Sequence, residues 1–345
     1  MSAIHAPPAR KLASIQRIKA LEPIPNADAI EKATVLGWQL VVKRGEFRAG
    51  DLCVYCEIDA LLPERPEFEF LRPRRFVIRT VRLRGQISQG ICFPLSILPE
   101  GTAIEEGADV TESLGVRKYE LPVPVHFSGQ VKGPFPSFIP KTDETRVQVL
   151  EGVLDRHRGT VFYASEKLDG TSLTAYLNDG EFGVCSRGLD LAESPENLHW
   201  QCARRYDLEG KLRRLGQGRG GNVAVQGEIV GERIQKNRLG LKGTQFFAFG
   251  LFDVDRYAFL DYADFVAAAR ELELPTVPVV TDRFALTEAI GVREIVDFAI
   301  GRSALNGAAW REGLVFRPLV ETIDVELGRL SFKAINPEYL LKHGE

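Results

Sequence analysis

Short apolar segments separated by turns fill the first third of the chain, and this pattern restricts that part to a small all-β domain. Four segments have the length and the valine, leucine and tyrosine content of strands: residues 33–36, 39–43, 52–58 and 76–81. Turn signals with glycine fall at Leu36-Gly37, Arg44-Gly45, Ala49-Gly50-Asp51 and Arg84-Gly85. Strands at this spacing, without long helices, predict a small barrel or sandwich. A five-stranded OB-like β-barrel fits the length.

The chain has 345 residues, which is too long for one ordinary core, so two domains are expected. Residues 121–137 are rich in proline and glycine and are typical of an extended connector. We therefore predict a first domain at 1–122, a linker at 123–138 and a second domain at 139–345.

The second domain mixes strands with helices, so the predicted fold class is α+β. Its strands are expected near residues 161–164, 223–226 and 246–249. The clearest helix runs from about Asp261, a plausible N-cap, to Leu274, because Pro275 stops it. Another helix is predicted to start near Thr287, with Glu288 and Glu294 on its polar side.

The composition is that of a soluble globular protein, with 44% hydrophobic and 26% charged residues. No apolar run reaches the length of a membrane-spanning helix, and the N-terminus lacks the apolar core of a secretion signal. Five scattered cysteines favour a reducing compartment over a disulfide framework. Cys53 and Cys56 have redox or zinc spacing, but they lie in a strand-like run without a second pair. We expect a cytoplasmic monomer.

A run of arginines gives the first domain a local positive charge, although the net charge of the chain is −3. Six arginines and no acidic residue lie between Arg72 and Arg84. A strand here would hold Arg82 and Arg84 on one face, where they would suit phosphate oxygens. We predict a nucleic-acid contact through Arg79, Arg82 and Arg84. A solvated sheet face explains the charge equally well.

The segment Lys167-Leu168-Asp169-Gly170 combines a nucleophile with groups that suit a nucleotide. A lysine amine attacks phosphorus when it is held neutral. Asp169 could hold a metal ion nearby, and Gly170 lets a phosphate approach the backbone. The combination suits attack on the α-phosphate of a nucleotide to form a lysyl-nucleotide. A surface turn with Asp-Gly at its tip is the alternative.

Five further segments each supply a group that nucleotidyl transfer needs. They are Ser186-Arg187-Gly188, Gly227-Glu228, Phe247-Ala248-Phe249-Gly250, Glu312-Gly313-Leu314-Val315 and Phe332-Lys333. Each has an ordinary structural alternative: a turn arginine, core phenylalanines, strand-end carboxylates and a solvated lysine. In this order behind Lys-x-Asp-Gly, the combination favours a catalytic site.

These motifs resemble those of the covalent nucleotidyltransferase superfamily of ligases and capping enzymes. Within it the chain is most similar to the Deinococcus-type ATP-dependent RNA ligases. Three stretches carry the closer resemblance, at residues 82–90, 140–148 and 231–237. The resemblance implies an N-terminal OB domain and a nucleotidyltransferase domain with an antiparallel sheet like that of ATP-grasp enzymes.

The resemblance also implies a role for each motif residue. Lys167 would be the adenylated nucleophile, Phe249 would stack on adenine and Glu228 would contact the ribose. Mg²⁺ or Mn²⁺ would be held by Asp169, Glu228 and Glu312, through its water shell. The predicted catalytic residues are Lys167, Asp169, Arg187, Glu228, Glu312 and Lys333. The predicted ATP site is Arg146, Glu166, Lys167, Arg187, Glu228, Phe249, Glu312 and Lys333, with Arg146 on the γ-phosphate.

Two positions depart from the related motifs. Ser331 stands where a first motif lysine is common, and Gly250 stands where aspartate often follows the aromatic residue.

The predicted function is an ATP-dependent RNA ligase that seals 3′-OH and 5′-phosphate ends through lysyl-AMP in RNA repair. Its partner would be RNA or a nicked RNA-containing duplex, and no membrane contact is expected. A DNA ligase or an mRNA-capping-type nucleotidyltransferase would use the same lysine. The chain ends soon after Lys333, without their C-terminal OB domain, which is expected to disfavour both. A non-catalytic OB-fold nucleic-acid-binding protein is the alternative from another class.

Overall fold

The computed structural model describes residues 10–119, 131–217 and 219–344, and these residues form two compact units. The first unit contains the described residues 10–119, 147–151 and 337–344. The second unit contains the described residues of 131–146 and 152–336. Part of the predicted linker, residues 123–130, lies outside the described residues.

The regular elements are numbered along the chain. The strands at the amino-terminal end are β1 Ala13–Pro23, β2 Ile30–Val35, β3 Trp38–Lys43, β4 Leu52–Cys56, β5 Ala60–Leu61, β6 Val81–Leu83, β7 Gln86–Ser88, β8 Ile91–Phe93 and β9 Arg117–Lys118. The following strands are β10 Val131–Pro134, β11 Thr145–Arg146, β12 Val161–Lys167, β13 Thr171–Asn178, β14 Glu181–Cys185, β15 Leu189–Leu191, β16 Val223–Gly231, β17 Thr244–Asp253, β18 Ala258–Phe259, β19 Val279–Ala285, β20 Gly313–Pro318, β21 Ile323–Asp324, β22 Gly328–Arg329 and β23 Phe332–Ile335. The α-helices are α1 Glu151–Arg156, α2 Leu198–Arg205, α3 Leu208–Gly216, α4 Tyr262–Glu271, α5 Val292–Ala299 and α6 Pro337–His343.

The first unit is built on a five-stranded antiparallel sheet in the order β3-β2-β1-β4-β8. Hydrogen bonds from Val41 N to Ser88 Oγ and from Gln89 N to Gln39 O bring the two ends of the sheet together. Alternate residues of β3 are buried, and Trp38 packs near Tyr55 in the core. The predicted five-stranded OB-like barrel is therefore confirmed.

The structure corrects two local expectations in the arginine-rich part. Residues 76–81 were expected to form a strand, but Arg75 and Phe76 have positive φ angles, which end the preceding 3-10 helix Pro66–Arg74 and interrupt an extended backbone. Arg84 was expected to lie on a strand face beside Arg82. Instead β6 ends at Leu83, and Arg84 and Gly85 form a two-residue turn with φ of 49° and 85°. Positive φ at both positions suits a tight hairpin.

The second unit contains two main sheets. One has seven strands in the order β10-β15-β14-β13-β16-β17-β18, and the other has five in the order β11-β23-β20-β12-β19. Helices α2, α3 and α4 cover the larger sheet, with Trp200, Leu212 and Phe265 packed in one core with Val225 and Leu251. This is the predicted mixed α/β domain with largely antiparallel sheets. The residues at 131–134, inside the predicted linker, form edge strand β10.

The helix predictions were right for one helix and wrong for the start of the next. Helix α4 follows Asp261 and ends before Pro275, as expected. Helix α5 begins at Val292 rather than near Thr287. The first turn is set by Gly291, whose backbone N–H donates to the Glu294 carboxylate. Among the described residues, no helix is long and apolar enough to cross a membrane.

Candidate active site

The Lys-x-Asp-Gly segment is the passage of the chain from one sheet of the second unit to the other. Strand β12 of the five-stranded sheet ends at Lys167, and β13 of the seven-stranded sheet begins at Thr171. Lys167 pairs with Gly313 on β20, and Ser172 pairs with Glu228 on β16. The register therefore brings the carboxylates of Glu312 and Glu228 to the same short turn.

Gly170 allows this close approach. A Cβ atom at this position would lie 2.3 Å from the Ile229 carbonyl oxygen and 2.7 Å from Cγ of Glu228. These separations are far inside van der Waals contact, so a side chain here would push β16 away. The glycine of the motif is thus explained by packing against the strand that carries Glu228.

Lys167 is paired with Glu312. Its Nζ atom lies 2.7 Å from Oε1 and 2.8 Å from Oε2 of that carboxylate. Burial lowers the pKa of Lys167, but attraction to Glu312, Glu228 and Asp169 outweighs burial and raises the pKa overall. Without an added cation, the structure therefore holds an ammonium group, which is not yet a nucleophile.

The carboxyl groups next to this lysine are buried close together, which disfavours their charged forms. Burial raises the pKa of Glu228 to about 8, with Glu312 and Asp169 adding to the rise and Lys167 opposing it. Burial also raises the pKa of Glu312, again opposed by Lys167. A divalent cation would favour their charged forms. Carboxylate oxygens are the donors that Mg²⁺ and Mn²⁺ take, so the chemistry of these side chains fits either ion. Among the described residues, no group of three such side chains is close enough to ligate a metal directly.

Arg238 is a neighbour of this site that the motifs did not predict. Its Nη1 atom lies 3.4 Å from Oδ2 of Asp169, and both side chains are largely buried. Arg238 follows directly after the stretch at 231–237 that carries the family resemblance. That position was the signal in the sequence that could have marked Arg238 as a site residue.

Two of the predicted phosphate-binding cations lie side by side on neighbouring strands. Lys333 on β23 pairs with Val315 on β20 and with Arg146 on β11. Burial, together with the charges of Lys167 and Arg146, lowers the pKa of Lys333 to about 7, against the attraction of Glu312. Anionic phosphate would favour the charged form of this lysine.

Arg187 has a different environment. Its side chain is exposed and is paired with Asp143. It is therefore the most accessible of the predicted cations of the second unit.

An apolar cluster begins at Leu168, directly after the nucleophile. Its buried members are Leu168, Val230, Leu239, Val277 and Ala309, and the partly buried Phe247, Phe249, Leu241 and Leu305 pack against them. Strand β17 has a bulge at Phe249, because Gln226 pairs with Gly250 whereas Gly227 pairs with Ala248. Bulges re-aim side chains and are frequent beside active sites.

Glu166 is buried close to this cluster. Its Oε2 atom accepts a hydrogen bond of 2.8 Å from Ala304 N, and the next residue, Leu305, belongs to the cluster. Its Oε1 atom has no hydrogen-bond partner among the described residues. Burial raises the pKa of Glu166. A buried acceptor without a partner is the feature that a polar ligand group would satisfy.

A buried ion pair that the motifs did not predict supports the aromatic ring. Arg317 Nη2 lies 2.8 Å from Glu144 Oε1, and its guanidinium carbon lies 5.4 Å from the centre of the Phe249 ring. Ser331, at the position where the related motif has a lysine, is also buried. Glu144 and Arg317 lie 173 positions apart in the sequence, so no local pattern indicated their contact.

The predicted nucleic-acid residues belong to the first unit. Arg82 is paired with Glu338 of helix α6, and Arg79 donates to the Gly344 carbonyl oxygen just beyond it. Arg84 is at the tip of the β6–β7 hairpin. Two of the three arginines thus hold the carboxyl-terminal helix of their own unit.

Comparison with known proteins places the chain in a family. A model described as an OB-fold domain matches residues 12–95, and the RNA ligase family model matches residues 160–335. No curated protein matches the chain significantly.

The solved structures of Naegleria gruberi RNA ligase are similar over nearly the whole chain. A mutant of that ligase with ATP and Mn has 38% sequence identity and a TM-score of 0.87, and the match covers 97% of this chain and 99% of that chain. The same ligase with PPi has 39% identity and a TM-score of 0.87, with coverage of 97% and 99%. The chain therefore belongs to the RNA ligase family.

Proposed function

We propose that this RNA ligase joins 3′-OH and 5′-phosphate RNA ends through a lysyl-AMP intermediate, in which AMP is bonded to Nζ of Lys167. The observation that carries the proposal is the position of the Lys167 amine, 2.7 Å from Glu312, with the apolar cluster that contains Phe249 starting at the next residue, Leu168. Mutants of the Naegleria ligase, which is 38% identical in sequence to this chain, have structures with ATP and Mn and with AMP and Mn. The enzyme is an ATP-dependent RNA ligase.

In the first step, Nζ of Lys167 attacks the α-phosphorus of ATP. A P–N bond forms, the P–O bond to the β-phosphate breaks, and pyrophosphate leaves with that electron pair. The ammonium must first lose one proton. When bound, a divalent ion supplies positive charge that lowers the pKa of Lys167 and offsets charge on the α-phosphate. Glu312 holds Nζ in position, and Asp169 and Glu228 are the carboxylates that would hold the ion's water shell.

The side chains next to Lys167 support binding of adenine. Phe249 would stack on the base, with Arg317 behind the ring. The Oε1 atom of Glu166 would accept a hydrogen bond from the exocyclic amine of adenine, a donor that guanine lacks at that position. Glu228 would contact the ribose. Lys333, Arg146 and Arg187 would hold the phosphates through charge-assisted hydrogen bonds.

In the second step, AMP passes from Lys167 to the 5′-phosphate of RNA, so that the P–N bond breaks as a phosphoanhydride forms. In the third step, the 3′-OH attacks the 5′-phosphorus, a phosphodiester forms and AMP leaves. We expect the enzyme to act on RNA or a nicked RNA-containing duplex as a cytoplasmic monomer in RNA repair.

The test is transfer of label to the protein. The protein is incubated with α-labelled ATP or α-labelled GTP and Mg²⁺ or Mn²⁺, then denatured. Label from ATP that stays on the denatured protein supports the ligase. This label should be lost when RNA with a 5′-phosphate is added before denaturation. Label from GTP alone would indicate a capping enzyme, and no label from either would indicate a nucleic-acid-binding protein. Sealing of RNA but not DNA 3′-OH ends separates the RNA ligase from a DNA ligase.

A further inference from the structure

The loop that carries Arg238 is a part of the site that the mechanism above does not use. It spans residues 232–243, between β16 and β17. Its backbone is unusual, because four residues other than glycine have positive φ angles: Arg233 at 69°, Gln235 at 42°, Lys236 at 62° and Asn237 at 49°. Outside glycine such angles cost energy, and they persist where surrounding contacts fix the chain, often beside functional sites.

Contacts within the second unit fix this loop. The Asn237 side chain accepts a hydrogen bond of 3.0 Å from Leu241 N and donates one of 2.9 Å to Leu241 O. Leu239 belongs to the same apolar cluster as Leu168 of the Lys-x-Asp-Gly segment, and Leu241 packs against that cluster. Asn306 Nδ2 donates a hydrogen bond of 2.8 Å to Leu239 O. The loop is therefore anchored to the segment that carries the nucleophile.

Arg238 lies between the anchored residues Asn237 and Leu239, and its side chain reaches Asp169. Its Nη1 atom lies 3.4 Å from Oδ2 of Asp169, and the two side chains are only 13% and 14% exposed. The backbone beside Asp169 is fixed as well, because the next residue, Gly170, packs directly against β16. Asp169 is thus held both through its side chain and through its backbone.

Asp169 in turn acts on the reacting groups. Its negative charge helps to raise the pKa of Lys167 and adds to the rise at Glu228 and at Glu312. Among the described residues, the charges that act most strongly on these three groups do not include that of Arg238. Arg238 therefore acts on Asp169 rather than on the carboxylates as a group.

An arginine that holds one oxygen of a carboxylate fixes the direction of the other oxygen. In metal sites, partners of this kind orient the groups that bind the ion or its water, and their loss weakens metal binding. We propose that Arg238 is a positioning residue that fixes the Asp169 carboxylate for the water shell of the divalent ion. The inference rests on the proposed function, which supplies both the ion and the role of Asp169.

Competition is the opposite arrangement, in which Arg238 occupies Asp169 and must be displaced by the ion. The two arrangements predict opposite signs. Removal of an orienting partner weakens the affinity for the ion, whereas removal of a competing cation strengthens it.

The test is Mn²⁺ binding by full-length protein with saturating AMP, measured from the electron paramagnetic resonance signal of free Mn²⁺. Arg238→Gln should raise the Kd for Mn²⁺ about 10- to 100-fold, the range for loss of an orienting partner. Arg238→Lys should restore most of the affinity, because it keeps a cation that can reach Asp169. The matched control is Arg233→Gln, at an exposed arginine of the same loop, which should leave the Kd unchanged.

A double-mutant cycle shows whether Arg238 acts through Asp169. When Arg238→Gln is added to Asp169→Asn, the Kd for Mn²⁺ should change by no more than about twofold. The kinetics should agree: Arg238→Gln should raise the Mn²⁺ concentration that half-saturates lysyl-AMP formation and leave the KM for ATP at saturating Mn²⁺ close to that of wild type. Thermal unfolding checks the fold, and Arg238→Met is the second uncharged variant if Arg238→Gln does not fold.

An unchanged or lower Kd for Mn²⁺ in Arg238→Gln would overturn the proposal. So would an equal loss of affinity with Asp169 and with Asn at position 169, or a wild-type protein that binds no Mn²⁺. The yield of lysyl-AMP from wild-type protein is measured in parallel. Absence of this product would count against the proposed function, whereas the comparison of Mn²⁺ affinities reports on Arg238 alone.

Discussion

The proposed nucleotide site of the second unit and the arginine-rich residues 72–84 of the first unit place their charged groups in opposite environments. In the second unit, charged groups are buried together, and their pKa values are displaced: that of Lys333 to about 7 and that of Glu228 to about 8. In the first unit, Arg74, Arg75 and Arg84 are exposed. Burial displaces pKa values, as is common where side chains act on a small ligand. Exposed arginines would instead make weaker, salt-sensitive contacts with a polynucleotide.

The largest expected effect comes from the nucleophile. Lys167→Arg keeps a positive charge opposite Glu312 but removes any amine that can become neutral. Formation of the protein–AMP adduct and sealing of 5′-phosphate RNA should fall more than about a thousandfold. Sealing of RNA that already carries AMP on its 5′-phosphate should persist, because that step needs no lysyl-AMP. Lys242→Arg, at an exposed lysine of the same unit, is the control and should behave as wild type.

Both reactions would be measured by gel assays under single-turnover conditions. If Lys167→Arg sealed ordinary and pre-adenylylated ends equally well, the role of this amine would be contradicted.

The next prediction concerns Glu228→Gln, which should raise the stability of the protein at high pH but lower its activity. Its folded pKa of about 8 is above the ordinary value of 4.5, so the folded protein retains a proton that the unfolded chain releases. Stability of the metal-free protein should therefore fall as pH rises from about 4.5 to 8 and level off above 8. Glu228→Gln should remove this contribution, so its melting temperature should exceed that of wild type increasingly from pH 5 to pH 8. The formation of lysyl-AMP should fall about 10- to 100-fold.

Calorimetry at pH 5, 6.5 and 8 checks the first part, with Glu232→Gln as the control at an exposed carboxylate of the neighbouring turn. A Glu228→Gln protein less stable than wild type at pH 8 would show that burial and the neighbouring carboxylates do not disfavour the charged form of Glu228 as described.

A smaller effect is expected for Lys333. In the absence of ligand its pKa is about 7, and binding of pyrophosphate requires its charged form. Between pH 7 and 8, the affinity for pyrophosphate should fall about fivefold more in wild type than in Lys333→Arg, because arginine stays charged. Titration calorimetry without divalent metal measures this difference. Parallel pH profiles for the two proteins would rule out titration of Lys333 as the cause.

The smallest effects test the exposed arginines. Arg74→Ala and Arg84→Ala should each reduce the slope of log affinity for RNA against log salt by about one. Arg82→Ala should leave that slope nearly unchanged, because Glu338 already neutralises Arg82. It should instead lower the free energy of unfolding by at most about 1 kcal/mol, as is usual for a partly exposed ion pair. An equal change of slope in all three variants would contradict the distinction between the paired Arg82 and the exposed Arg74 and Arg84.

The sequence predicted most of the residues that the structure brings together around Lys167, because each lies in or directly beside a regular strand. Lys167, Glu228, Glu312 and Lys333 were each recognisable from a short motif, and strand register then brings them together. Arg238 and the Glu144–Arg317 pair were missed, because each contact joins residues far apart in the chain. No local pattern records such a pairing.

The arginine run was harder to interpret for the same reason. Its alternation with apolar residues predicted one strand face, but a tight turn at Arg84 and a partner at Glu338 decide the actual arrangement. The start of α5 was misplaced because Gly291 sets the first turn, and glycine is a weaker cap signal than threonine.

The most direct measurement is to locate the AMP. Wild-type protein is incubated with ATP and Mn²⁺, denatured and digested, and its peptides are analysed by mass spectrometry. We expect a single adduct on Lys167, stable in alkali and labile in acid as a phosphoramidate should be. An adduct on another residue such as Lys333, or efficient sealing of 5′-phosphate RNA with no adduct on any lysine, would contradict the mechanism.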